Sequence, residues 1–157
     1  MAFMTDIHYL TQEGLEKIQK ELDYLKTVKR PQIAERLANA IAQGDLSENA
    51  DYEDAKDEQL HTDKRIVDLT QIIKNYELID HRQSSGDTVD LGSTVKVKFN
   101  GKDHEYTIVG SEEADPGQGK ISHESPLGKA FIGRKKNDKV EVKTPGGTIS
   151  YKILEIL

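Results

Sequence analysis

The stretch Gly44 to Gln59, GDLSENADYEDAKDEQ, holds seven acids (Asp45, Glu48, Asp51, Glu53, Asp54, Asp57 and Glu58) against one base, Lys56. Its net charge equals that of the whole chain, −6, so the rest of the 157 residues sums to zero. Two kinds of chemistry fit Asp45 and Glu48, three residues apart. They can cap a helix, with Asp45 at the N-cap and Glu48 reaching back from N3, where the helix macrodipole favours acids. They can also form a carboxylate pair for Mg²⁺, which is commonly held by one or two carboxylates with water and phosphate completing the shell. Two carboxylates alone make a weak site, so the second chemistry needs a partner to supply the remaining ligands. Both readings stand at this point.

The elements that must position these acids are helical. Thr11 is a suitable N-cap, with Leu10 placed to staple onto Leu15. Leu15, Ile18, Leu22 and Leu25 recur at spacings of three and four, and Ile33, Leu37 and Ile41 carry an apolar face onward. Pro31 lacks an N–H and clashes with the carbonyl four residues back, which predicts a kink near Lys29–Pro31 within a continuing arm. A second stripe runs through Ala55, Gln59, Thr62, Ile66, Leu69, Ile73 and Tyr76. Pairing Leu25 with Ile66, Leu22 with Leu69, Ile18 with Ile73 and Leu15 with Tyr76 gives a constant total of residue numbers, as an antiparallel coiled coil requires. That total places the turn at Asp45-Leu46. Gly44-Asp45-Leu46-Ser47 is a turn by its local chemistry as well. At ~1.5 Å per residue, an arm from Leu15 to the turn reaches on the order of 45 Å.

The polar run from His81 to Thr88 breaks the helical period and reads as a linker. Beyond it the period falls to two. Val95, Val97 and Phe99 lead to the hairpin turn Asn100-Gly101, with Tyr106 and Ile108 on the return. Val140 and Val142 lead to Thr144-Pro145-Gly146-Gly147, with Ile149, Tyr151 and Ile153 returning. Between the hairpins, Ser125-Pro126 are N-cap and N1 of a short helix that Gly133 ends. The expected fold is α+β: a helical hairpin over 1–80 with its tip at 44–49, a linker at 81–88, and an antiparallel-sheet domain with one short helix over 89–157.

Composition excludes several classes. Without cysteine there is no disulfide, Cys-zinc site or thiol nucleophile. The start lacks a signal-peptide pattern and no apolar run spans a membrane, so a soluble, cytoplasmic protein is expected. The acidic balance argues against broad binding to a nucleic-acid backbone. The five histidines show no ligand spacing. Gly117-Gln118-Gly119-Lys120 lacks P-loop spacing and reads as a loop. Arg134-Lys135-Lys136 with Lys139 is either a solvated turn or a contact for an acidic partner.

The tip sequence, together with Leu22-Asp23-Tyr24-Leu25 through Arg30-Pro31, Ile121-Ser122, Ser125-Pro126, Ile132-Gly133 and Thr144-Pro145-Gly146-Gly147, resembles the Gre family of bacterial transcript cleavage factors, its GreA branch in particular. The resemblance covers essentially the whole chain. It implies an FKBP-like C-terminal domain that binds RNA polymerase and a hairpin that enters the polymerase secondary channel. There the tip would stimulate the polymerase's own cleavage of backtracked nascent RNA, so the chain is expected to be no enzyme by itself. Asp45 and Glu48 would share a weakly held Mg²⁺ with the polymerase, with no metal bound tightly by the chain alone. Ser47, Asn49, Tyr52 and Lys56 would support the tip. Polymerase contacts would come from Glu112, Glu113 and Asp115 and from Ser122, Ser125 and Pro126. The nascent RNA 3′ end would be the second partner, with no membrane contact and a monomeric factor. Ile41 departs from the basic residue often found before the tip.

Two further functions compete. A non-cleaving channel inhibitor would use the acidic tip to occlude the site, against which the intact Asp45 and Glu48 spacing argues. An FKBP-like prolyl isomerase would need an apolar pocket. Its few aromatics, Phe99, Tyr106, Phe131 and Tyr151, fall mostly at core positions.

Overall fold

The computed structural model describes residues 6–44, 49–80 and 86–157. The chain divides into two compact units, one of Leu15–Asn75 and one that joins the N-terminal residues through Gly14 to Tyr76–Leu157.

The helical unit is an antiparallel hairpin. Helix α1 runs Gln12–Tyr24, α2 runs Arg30–Ala42 and α3 runs Ala50–Lys74. Between α1 and α2, Leu25–Lys29 form a π-helical turn in which the Arg30 N–H reaches back five residues to the Leu25 carbonyl. The arm therefore continues past Pro31, which sits in the first turn of α2. The wide turn takes up the proline, whose ring and missing N–H do not suit an α-helical interior. The extra residue also rotates the apolar face. Ile33, Leu37 and Ala40 are buried, whereas Ile41, expected on the seam, is 54% exposed. Side chains bond across the arms as the antiparallel register requires. Arg30 donates to Asp63 at 2.7 Å, Arg65 forks onto Glu21 at 2.7 and 3.0 Å, and Glu58 accepts from both Lys29 and Arg36. On α3 the buried residues are Ala55, Thr62, Ile66, Leu69 and Ile72. Tyr76, expected on the α3 stripe, is not part of the helix, because α3 ends at Lys74 and Asn75 leaves helical geometry at φ −143°, ψ 67°.

Tyr76–Leu78 instead form strand β2, paired in parallel with β1, His8–Leu10. This two-strand ladder belongs to the sheet unit, which is why the compact division falls at Gly14 and Tyr76 and not near residue 80. The main sheet has order β5-β4-β3-β7-β6, with β3 Thr94–Phe99, β4 Lys102–Val109, β5 Lys120–Ser122, β6 Lys139–Thr144 and β7 Gly147–Ile156. Both expected hairpins form. Asn100 and Gly101, at φ 51° and 73°, make the left-handed two-residue turn that such a sequence favours. The sheet is antiparallel except for β5, a three-residue strand that runs parallel to β4. The short helix α4, Pro126–Phe131, is capped as expected: Ser125 Oγ accepts from the Gly128 N–H at 3.0 Å. Val89, Val95, Val97, Ile108, Phe131, Val140 and Ile153 fill the core between α4 and one sheet face.

Candidate functional site

Asp45, Ser47 and Glu48 lie outside the described residues. Their two anchors are described. Helix α2 stops at Ala42, followed by Gly44 at φ +111°. Helix α3 starts at Ala50 with Asn49 as its N-cap, the Asn49 Oδ1 accepting from the Tyr52 N–H at 3.1 Å. The cap is therefore Asn49, and the capping arrangement weighed for Asp45 and Glu48 is not that of this helix. Asn49 does a second job. Its Nδ2 donates to the Ala40 carbonyl at 2.9 Å, so one side chain ties the last turn of α2 to the first turn of α3. Tyr52 packs on Ile33, Leu37 and Ala55, which fixes the same end of the hairpin from its apolar side. Lys56 lies 6.0 Å over the Tyr52 ring and donates to Gln59 Oε1 at 3.4 Å. Farther down the arm, Lys29 and Arg36 beside Glu58 hold its carboxyl below the usual carboxylate range.

The candidate docking residues sit at one end of the sheet unit, on the segments that flank β5. Asp115 Oδ1 accepts from the Gly117 N–H at 3.1 Å, which shapes the turn leading to β5. Glu113 is turned inward: its carboxylate accepts from the Thr11 N–H at 2.6 Å and from Thr11 Oγ1 at 2.5 Å. Thr11 in turn caps α1, its Oγ1 accepting from the Gly14 N–H at 3.1 Å, as expected. Glu112 is exposed and faces His8 at 3.7 Å. Ser122 and Ser125 are half-buried and Pro126 is exposed.

Sequence reasoning missed three residues that bind these loops together. Ser111 Oγ lies 3.0 Å from Ser122 Oγ and donates to Glu124 Oε2 at 2.7 Å, joining the two segments. His123 packs edge-on against Tyr9, with ring centroids 5.4 Å apart. No local pattern marks any of them, because each contact depends on how the turns before β5 fold back. Gly110 is a further close approach, since a Cβ there would overlap the Tyr9 carbonyl.

The aromatics weighed for an isomerase pocket pack on one another. Phe131 and Tyr151 lie at 5.5 Å, Phe99 and Tyr151 at 5.1 Å, and Tyr106 and Phe131 at 6.1 Å. Burial pushes the Tyr151 phenol up from its ordinary value, as befits a core residue. Among the described residues, no group of three or more His, Asp or Glu side chains is arranged to hold a metal ion, and no helix is long and apolar enough to cross a membrane.

Comparison with known proteins places this geometry. A family model described as "Transcription elongation factor, N-terminal" matches residues 8–78, and one described as "Transcription elongation factor, GreA/GreB, C-term" matches residues 83–157. The chain is 52% identical over 150 residues to the transcription elongation factor GreA of Acetivibrio thermocellus, covering 94% of each chain. It is 48% identical over 151 residues to the factor of that name from Clostridium perfringens, covering 95% of this chain and 96% of the relative. A solved structure of GreA factor homolog 1 from Thermus thermophilus is 25% identical over 97% of this chain and 99% of its own, with a TM-score of 0.44. On the two family models and these identities, the chain belongs to the GreA/GreB family of transcription elongation factors.

Proposed function

We propose that this factor binds RNA polymerase at the rim of its secondary channel, inserts the hairpin, and stimulates the polymerase's own Mg²⁺-dependent cleavage of backtracked nascent RNA. The observation that carries the reading is the closure at Asn49. It leaves the acid-bearing segment from Gly44 to Glu48 as the connection between two anchored helix ends. A connection of that length, clamped on both sides, is suited to presenting side chains to a partner. The relatives' shared name, transcription elongation factor GreA, supports the same reading.

The donor set bears on the metal. Mg²⁺ takes six oxygens in near-octahedral geometry. Asp45 and Glu48 would supply a minority of them, which fits an ion shared with the polymerase and not one held by this chain alone. When bound there, the ion would supply charge stabilisation for phosphodiester hydrolysis. This chain's part would be to deliver the two carboxylates, with Asn49 and Tyr52 fixing the helix ends on either side of them. It would have no active site of its own and would act as a cytoplasmic monomer. The docking surface would use exposed Glu112, Asp115 and Pro126, with Ser122 and Ser125 shaping the loop. Glu113 would contribute indirectly, through Thr11.

Halted, backtracked polymerase complexes test this. The wild-type factor should stimulate transcript cleavage, and Asp45→Asn and Glu48→Gln should abolish it while still competing with wild type for polymerase. A wild-type factor that binds and slows the polymerase without cleavage would establish the channel-inhibitor function in its place. Variants that cleave normally would refute the assignment of the two acids.

A further inference from the structure

Helix α1 is capped by residues from distant parts of the chain. Thr11 is its N-cap, and Thr11 Oγ1 accepts from the Gly14 N–H at 3.1 Å. In a capping box the third residue of the helix is Glu or Gln, and its side chain reaches back to the N–H of the cap residue. Here that third residue is Gly14, which has no side chain. The carboxylate comes instead from Glu113, 102 residues on from Thr11, which accepts from the Thr11 N–H at 2.6 Å and from Thr11 Oγ1 at 2.5 Å. It stands where a side chain at position 14 would stand, since a Cβ on Gly14 would overlap the Glu113 carboxyl. The box is complete, but it closes across two segments.

A glutamate at position 14 would give α1 the same cap within its own first turn. Glycine there is a poorer helix former than any residue but proline. What the longer route adds is a tie between the root of α1 and the segment that carries Glu112 and Asp115. The residues before the cap strengthen it. His8 Nδ1 lies 3.7 Å from Glu112 Oε1, and the Tyr9 carbonyl leaves no room for a side chain at Gly110. Three of the four residues from His8 to Thr11 thus meet the segment 110–113. The Tyr9 ring adds its contact with His123 on the other side of β5. We propose that Glu113 is a positioning residue for transcript cleavage: it holds the first turn of α1, the helix that continues into the hairpin, to the docking segment. On the cleavage reading given above, on which this role rests, the tie acts on turnover and not on affinity. Glu112 and Asp115 are exposed and can dock without the bond. The tip acids depend on a helix fixed at its root, and a misplacement of about 1 Å can slow a reaction about 100-fold.

Cleavage in backtracked polymerase complexes titrated with the full-length factor separates the tie from the cap. Glu113→Ala removes both. It should lower the melting temperature by about 3–10 °C. It should also lower the cleavage rate at saturating factor at least about 10-fold, with the half-saturating concentration unchanged. Gly14→Glu in the Glu113→Ala background closes the box within α1, so it should restore the melting temperature and leave cleavage low. Glu113→Gln keeps both the cap and the tie, because Gln also serves in a capping box, and should cleave as wild type. Amide exchange gives a readout that does not need cleavage. Binding polymerase should slow exchange of the backbone N–H at position 14 in wild type and not in the double variant. Recovery of cleavage together with melting temperature in the double variant would reduce Glu113 to a cap and overturn the proposal. Wild-type turnover by Glu113→Ala, turnover by Glu113→Gln as low as that of Glu113→Ala, no recovery of melting temperature by Gly14→Glu, or equal polymerase-induced protection in wild type and double variant would each do the same. A wild-type factor that binds without stimulating cleavage would refute the cleavage reading alone, and the exchange result would still decide the tie.

Discussion

Replacing Asn49 with alanine removes two bonds from one end of the hairpin. The first is the cap on α3, where Oδ1 accepts from the Tyr52 N–H at 3.1 Å. Loss of an Asn cap costs about 1 kcal/mol. The second is the cross-arm bond from Nδ2 to the Ala40 carbonyl at 2.9 Å, partly buried. A neutral bond of this kind is worth about 0.5–1.5 kcal/mol. The lower part of that range applies, because the Ala40 carbonyl also accepts from the Gln43 N–H and is not left bare. The total is about 1.5–2 kcal/mol, or roughly 3–8 °C in melting temperature for a protein of this length. Asn49→Ser divides the two effects. Serine caps about as well as asparagine but has no amide to reach Ala40, so it should recover about half the loss. Circular dichroism at 222 nm during heating reads the total, and amide exchange at Tyr52 reads the cap directly. Protection of the Tyr52 N–H should fall in Asn49→Ala and persist in Asn49→Ser. A melting temperature for Asn49→Ala within about 1 °C of wild type would refute the account. So would equal losses for both variants, which would leave the cap without a role.

Two other outcomes follow from single contacts. Gly128 lies inside α4, and a Cβ there would overlap the Ser122 carbonyl and crowd the His123 backbone, neither of which is a flexible side-chain end. Gly128→Ala should therefore cost about 2–3 kcal/mol, seen as a melting temperature lowered by roughly 4–12 °C, and an unchanged value would show that the loop yields freely. Glu58 has its carboxyl held low, chiefly by the hydrogen bond from Lys29 and then by the charges of Lys29 and Arg36. A folded-state value below the unfolded one gives stability that is present above the unfolded value and lost as pH falls through the folded one. Melting temperatures measured from about pH 7 down to about pH 3 should thus fall less steeply for Glu58→Gln than for wild type, and parallel curves would refute the link.

Local chemistry explains what could be read from the chain. Asn100-Gly101 needs left-handed backbone at both residues and has it. Ser125-Pro126 and Thr11 carry their caps in their own side chains. Other features depend on residues far apart. Strands β1 and β2 are three residues each, and neither has enough length to show a period, so their parallel ladder is visible only once folded. The same holds for β5. The capping reading put the N-cap at Asp45, whereas α3 starts from Asn49, an equally good capping residue four positions on. Asn49 also reaches Ala40. The register of β7 against β3 also shows only in the fold, since it shifts between Lys96 and Val97. Ile41 stands eight residues after Ile33, about 80° off the stripe at 100° per residue, whereas Ala40, seven residues on, returns to it and is buried.

That turn sets the phase of the arm. A π turn is one residue inserted into an α-helix, and every residue beyond it is rotated by about 100° from where an uninterrupted helix would put it. Ile33, Leu37 and Ala40 meet α3 only with that rotation. The aim of the distal end is thus set about five turns before the tip, between Leu25 and Lys29. Substitutions there that restore a plain α-helix would leave the tip sequence untouched and still turn it to face a different direction.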